Sequence, residues 1–156
     1  MSEKMREILF RGKANGGCCW VYGHYTVLND GYRPDWKRHY LLSGELRYND
    51  QYGKEDIRKV EIDPKTLGQY TGRNDKNGKR IFEGDIVRAR LEEGVHAGFE
   101  WPVMRIEYRD AAFTLVDKLG RAFCTMAALA PNVGLEVLGN VHDDPELIGG
   151  VIDENA

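Results

Sequence analysis

The sequence predicts a mostly β protein, with a hairpin-rich first part and a small barrel in its second. Short stretches in which apolar and polar residues alternate recur along the chain, and the later ones follow each other with no helical period between them. Turn-forming groups such as Asn29-Asp30-Gly31, Asn77-Gly78 and Lys118-Leu119-Gly120 separate them. The helix starts, Asp63-Pro64 and Asp144-Pro145, each suit a single helical turn with proline at its first position.

From the N-terminus, Arg6 to Arg11 reads as a strand with Ile8 and Phe10 on one face, and Cys18 to Val27 as its hairpin partner across the Lys13 to Gly17 turn. Gly23 inside that run marks a bulge or a close backbone approach. Asn29-Asp30-Gly31 and Arg33-Pro34-Asp35 break the chain, and His39 to Ser43 is a short further strand. Arg47 to Asp56 has no buriable period and reads as a mobile loop; Ile57 to Ile62 alternates again, with Val60 and Ile62 inward. Asp63 to Phe82 follows as a turn-rich connector.

Val87, Ala89 and Leu91 share the face of the next strand; Met104, Ile106 and Tyr108 do so in the one after. Phe113 with Leu115, then Arg121 to Met126, then Leu135, Val137 and Val141 complete five strands, with Gly139 at a bulge. Five short strands joined by tight turns suit a closed or half-closed barrel, which also removes exposed sheet edges. Asp144 is expected to cap a last helical turn from which Leu147 packs back, ahead of a frayed tail from Gly149. The organisation is thus residues 1–62, a connector 63–84, a barrel 85–142 and a short turn and tail 143–156.

With 156 residues, 42% apolar, the chain has material for a core without covalent staples. Its three cysteines, Cys18, Cys19 and Cys124, form no disulfide framework and read as reduced thiols. No run of about 18 apolar residues occurs, so no membrane span is expected, and a cytoplasmic location is the simple reading. A net charge of -3 gives no overall attraction for nucleic acid, so any such affinity must be local.

The middle of the chain carries a resemblance. A strand ending in Asp63-Pro64, then Gly68-Gln69-Tyr70-Thr71-Gly72, Asp75-Lys76-Asn77-Gly78-Lys79 and Glu83-Gly84-Asp85-Ile86-Val87, resembles the YopX-like proteins of bacteriophages and prophages. Trp20-Val21-Tyr22-Gly23 and Leu135 to Asn140, followed by Asp144-Pro145-Glu146-Leu147, are similar to the same family. The resemblance implies a mostly β protein with an SH3-like second half, encoded by a phage or prophage, and it implies no catalytic or ligand residues. The vicinal Cys18 and Cys19 depart from the family's pattern.

Gly72 to Arg80 looks at first like a phosphate loop, but five residues separate its glycines where four are needed, and Arg80 stands where a magnesium-binding hydroxyl belongs. The cysteines with His24, His39, His96 or His142 lack the close spacing of a zinc site. Glu83 and Asp85 flank a glycine in a turn, and no nucleophile elbow or paired carboxylates mark an enzyme. No catalytic, cofactor or metal residues are therefore assigned. The leading expectation is a non-enzymatic module that binds an unidentified protein or itself through Tyr32, Arg33, Trp36 and Tyr40, since aromatic and arginine side chains are favoured at interfaces. The competing reading for Trp36 is that it covers the open end of the core. The alternative is nucleic acid on the basic hairpin, with Arg73, Lys76, Lys79 and Arg80 on the backbone and Tyr70 and Phe82 stacking bases.

Overall fold

Alternating side chains organise eleven strands in a computed structural model that describes residues 5–43 and 57–149. Three short 3-10 turns accompany them, and there is no α-helix among the described residues. The chain divides into a unit that ends at Tyr70 and one that begins at Thr71.

In the first unit, β1 (Phe10–Lys13), β2 (Trp20–Asp30), β3 (Arg33–Ser43), β4 (Arg58–Glu61) and the start of β5 (Gly68–Asn74) form an antiparallel sheet in the order β4-β3-β2-β1-β5. Pairing of Phe10 with Gly23, Gly12 with Val21 and Tyr25 with Leu41 puts these residues on one face. Leu41 and Ile62 are fully buried. Two glycines permit this packing: a β-carbon at Gly12 would stand 2.7 Å from Ile62 Cδ1, and one at Gly23 would overlap the Leu42 carbonyl. The close approach expected at Gly23 is therefore present. On the opposite face Arg11 lies 4.7 Å over the Trp20 ring and Lys59 4.7 Å over Tyr40.

Asp63 caps the first 3-10 turn, Pro64–Thr66, as expected, its Oδ1 accepting the Lys65 N–H at 3.0 Å. The Thr66 hydroxyl donates to the Asp63 carbonyl at 2.6 Å and accepts the Lys13 N–H at 2.8 Å, tying the turn to β1.

Two expectations need correction here. The first strand starts at Phe10 and not Arg6, leaving Ile8 exposed. The break at Arg33 to Asp35 lies inside β3, of which His39 to Ser43 is only the end. The register steps from Asn29 opposite Lys37 to Asp30 opposite Arg33, so the surplus residues, Pro34 among them, sit in an irregularity where a missing N–H is tolerated. The expected loop Arg47 to Asp56 lies outside the described residues.

In the second unit β5 continues beside β6 (Arg80–Phe82). Then β7 (Asp85–Leu91), β8 (Met104–Arg109), β9 (Ala112–Val116), β10 (Ala122–Thr125) and β11 (Val133–Asn140) form an antiparallel sheet in the order β10-β9-β8-β7-β11. Its core gathers Ile81, Val87, Ala89, Met104, Ile106 and Leu115 with Met126, Val133 and Leu135. Asp85, buried at the entry to β7, accepts the Phe82 N–H at 2.8 Å across the Glu83-Gly84 turn.

The five strands are those expected, and the register shift at Gly139 confirms the bulge. They do not close into a barrel: β10 and β11 end the order, joined through the 3-10 turn Met126–Ala128 and not laddered to each other. The last 3-10 turn, Pro145–Ile148, also differs. Asp144 makes no cap bond; its Oδ2 turns back to accept the Asn140 N–H at 3.2 Å, over a Gly139 whose β-carbon would collide with it. Ile148 is the buried residue of that turn and Leu147 is exposed.

Candidate functional site

Among the described residues of the first unit, the tip of the β2–β3 hairpin presents the most exposed aromatic group. Tyr32 is 96% exposed and Trp36 53%. The Arg33 guanidinium lies 4.7 Å from the centre of the Trp36 ring, a cation–π contact between two exposed side chains. Trp36 therefore does not serve as a lid on the core. Lys37 and Arg38 are exposed next to it. Tyr40, grouped with these residues from the sequence, is not at the tip: it stands mid-strand opposite Thr26 and Glu61, under the Lys59 ammonium.

The basic hairpin is organised around a carboxylate. Asp75, 8% exposed, accepts the N–H groups of Asn77 and Lys79 at 2.9 Å on Oδ1 and that of Val137 at 3.0 Å on Oδ2. Burial alone would push its carboxyl up; the three N–H donors and the Lys79 charge outweigh that and hold it below the ordinary range. The cations around it are partly committed. Lys76 pairs with Glu136 at 3.6 Å, and Arg73 is half-buried with Nη1 3.4 Å from the Met126 carbonyl. Lys79 and Arg80 are exposed. Tyr70 and Phe82, expected to stack bases, are 8% and 3% exposed and offer no ring face to a ligand. Their strands turn them inward, which overturns that part of the nucleic-acid expectation.

Two features of the second unit were not foreseen. Phe99 and Trp101, in the β7–β8 connection, meet edge to face at 5.0 Å, and Phe123 of β10 lies 6.3 Å from Trp101. Phe99 and Phe123 are each about half exposed. The Phe99-Glu100-Trp101-Pro102 run was the available signal, since residues two apart in an extended segment share a face. Separately, a cleft of about 510 Å³ opens between Thr71 to Arg73, Phe113 and the Thr125 to Leu129 segment. Among the described residues its only charged lining residue is Arg73, and none of those that line it is a nucleophile paired with a base.

No group of three or more His, Cys, Asp or Glu suited to a metal occurs among the described residues. None of their helices is long and apolar enough to cross a membrane.

These surfaces belong to a protein of two antiparallel β units. The model of the YopX protein family matches residues 10–149, and the chain belongs to that family. Among solved structures, the crystal structure of protein EF1440 from Enterococcus faecalis is similar over 92% of this chain and 99% of its own, with 26% identity and a TM-score of 0.50. No curated protein matches the chain.

Proposed function

We propose that the protein is a non-enzymatic interaction module that docks a protein partner on the tip of its β2–β3 hairpin. The observation that carries this is the exposure of Tyr32 and Trp36 together with the Arg33–Trp36 stack at 4.7 Å. An exposed indole carries a large contact area on few rotatable bonds, which is what an interface anchor needs. Arg33, Lys37 and Arg38 suit a partner surface that surrounds an apolar pocket with carboxylates.

Our reading of the second unit is an SH3-like half-barrel. It is supported by the meander β7-β8-β9-β10, the 3-10 turn before β11, and the return of β11 beside β7. The setting we infer is the cytoplasm of a bacterium that carries the gene on a phage or prophage.

The test is capture from a bacterial lysate, with the retained protein identified by mass spectrometry and its binding re-measured with purified components. Trp36→Ala should abolish the interaction and Lys79→Glu with Arg80→Glu should not. Capture indifferent to Trp36→Ala and Arg33→Ala would overturn the hairpin-tip reading. A second reading, nucleic acid on the Asp75-centred turn, is kept by the exposure of Lys79 and Arg80. It requires affinity that falls with salt and with the charge-reversed pair.

A further inference from the structure

The turn between β1 and β2 sets two thiols side by side in water. Cys18 and Cys19 are both exposed, with their Sγ atoms 3.2 Å apart. The turn beneath them is closed by the Gly17 N–H on the Ala14 carbonyl at 2.9 Å and the Ala14 N–H on the Cys19 carbonyl at 3.0 Å. Gly16 and Gly17, at φ 97° and 73°, supply the left-handed backbone it needs.

This pair is poorly matched to two common fates of neighbouring cysteines. Consecutive α-carbons are about 3.8 Å apart, short of the roughly 4.4–6.8 Å of a relaxed disulfide. Direct oxidation to a bridge is therefore strained. Tetrahedral zinc, with Zn–S bonds of about 2.3 Å, sets its sulfurs roughly 3.8 Å apart and takes four ligands, whereas no third ligand gathers at these thiols among the described residues. A pyramidal trivalent centre fits better. Its bond angles are narrower than tetrahedral, so its two sulfurs lie closer together, and two protein thiolates with one outside substituent complete its coordination.

We propose that Cys18 and Cys19 form a bidentate site for trivalent arsenic compounds of the type R–As(OH)2 and their anhydrides R–As=O. Each thiol loses its proton and forms one S–As bond. Each departing hydroxyl takes one of those protons and leaves as water, so arsenic stays trivalent and no oxidant or reductant is used. The hydrogen bond and charge of Cys18 push the Cys19 thiol up, while the Arg58 charge works the other way. Replacing both protons by one arsenic removes the mutual penalty that keeps two adjacent thiolates from forming together. Cys124 takes no part: it lies half-buried on β10, and burial pushes its thiol up.

The experiment uses phenylarsine oxide with the full-length, reduced protein, read by intact-mass spectrometry and by titration. One adduct per chain is expected, heavier than the protein by one reagent molecule less one water. It should survive excess glutathione and be removed by a small dithiol. Because the second S–As bond forms within the molecule, affinity should exceed that of Cys18→Ser or Cys19→Ser by about 10²–10⁴-fold. Cys124→Ser should bind like the wild type. Equal affinity in the single-serine variants, adducts stripped by glutathione, or dependence on Cys124 would each overturn the proposal. Circular dichroism of the serine variants, exposed in a turn, checks that the fold is intact.

Discussion

Asp75 Oδ2 accepts the backbone N–H of Val137 at 3.0 Å across 62 residues of sequence, tying the turn after β5 to the middle of β11. Asp75→Asn keeps the shape but replaces one acceptor oxygen by a donor, against an N–H that needs an acceptor. A loss of about 1–3 kcal/mol is expected, measured by urea unfolding at pH 7.

The same carboxylate predicts a pH dependence. Its pKa is lowered on folding from an ordinary value of 3.8, so its stabilisation is complete above that value and is lost as pH falls through the lower, folded-state one. The difference in unfolding free energy between wild type and Asp75→Asn should therefore be full at pH 6 and shrink below pH 3.8. A gap that stays constant down to pH 2 would show that the charge is not what matters.

Gly12 and Ile62 predict a rescue. Gly12→Ala places a methyl 2.7 Å from Ile62 Cδ1, and overpacking of this kind costs about 1–3 kcal/mol. Ile62→Val removes that atom. The double variant should be more stable than the sum of the single effects predicts, a coupling read from thermal or urea unfolding.

Trp36→Ala should leave stability within about 0.5 kcal/mol of wild type, because the ring is half in water and its cation–π contact is with an exposed arginine. Ile106→Ala, in the middle of the second unit's core, should cost about 2–5 kcal/mol. The contrast between them, in one calorimetric series, separates surface from core.

What could be read from the chain was what is encoded locally. The β8 and β9 alternation, the Asp63-Pro64 cap and the Gly139 bulge each depend on residues within a few positions, and each stands as expected. The failures were of another kind. Pro34 looks like a stop, yet the register shift opposite Asn29 and Asp30 absorbs it, and no local pattern announces which partner strand will slip. Asp144 has the composition of a cap, but Gly139 leaves room that its carboxylate turns back to fill. Tyr70 and Phe82 border a glycine-rich, charged stretch and so looked like surface; their inward position is set by strand pairing of β5 and by the Asp85 bond to the Phe82 N–H. At the hairpin tip the residue types were legible, whereas the separation of Tyr40 from Trp36 required the register.

The passage from Tyr70 to Thr71 lies inside β5, whose Gly68 and Gln69 pair with β1 while Thr71 Oγ1 donates to the Ile81 carbonyl at 2.8 Å. The boundary between the two units therefore falls within a single strand. A gene cut there would give two fragments that each lack part of that strand. Anyone wishing to study either unit alone would do better to inactivate its surface by substitution than to divide the chain.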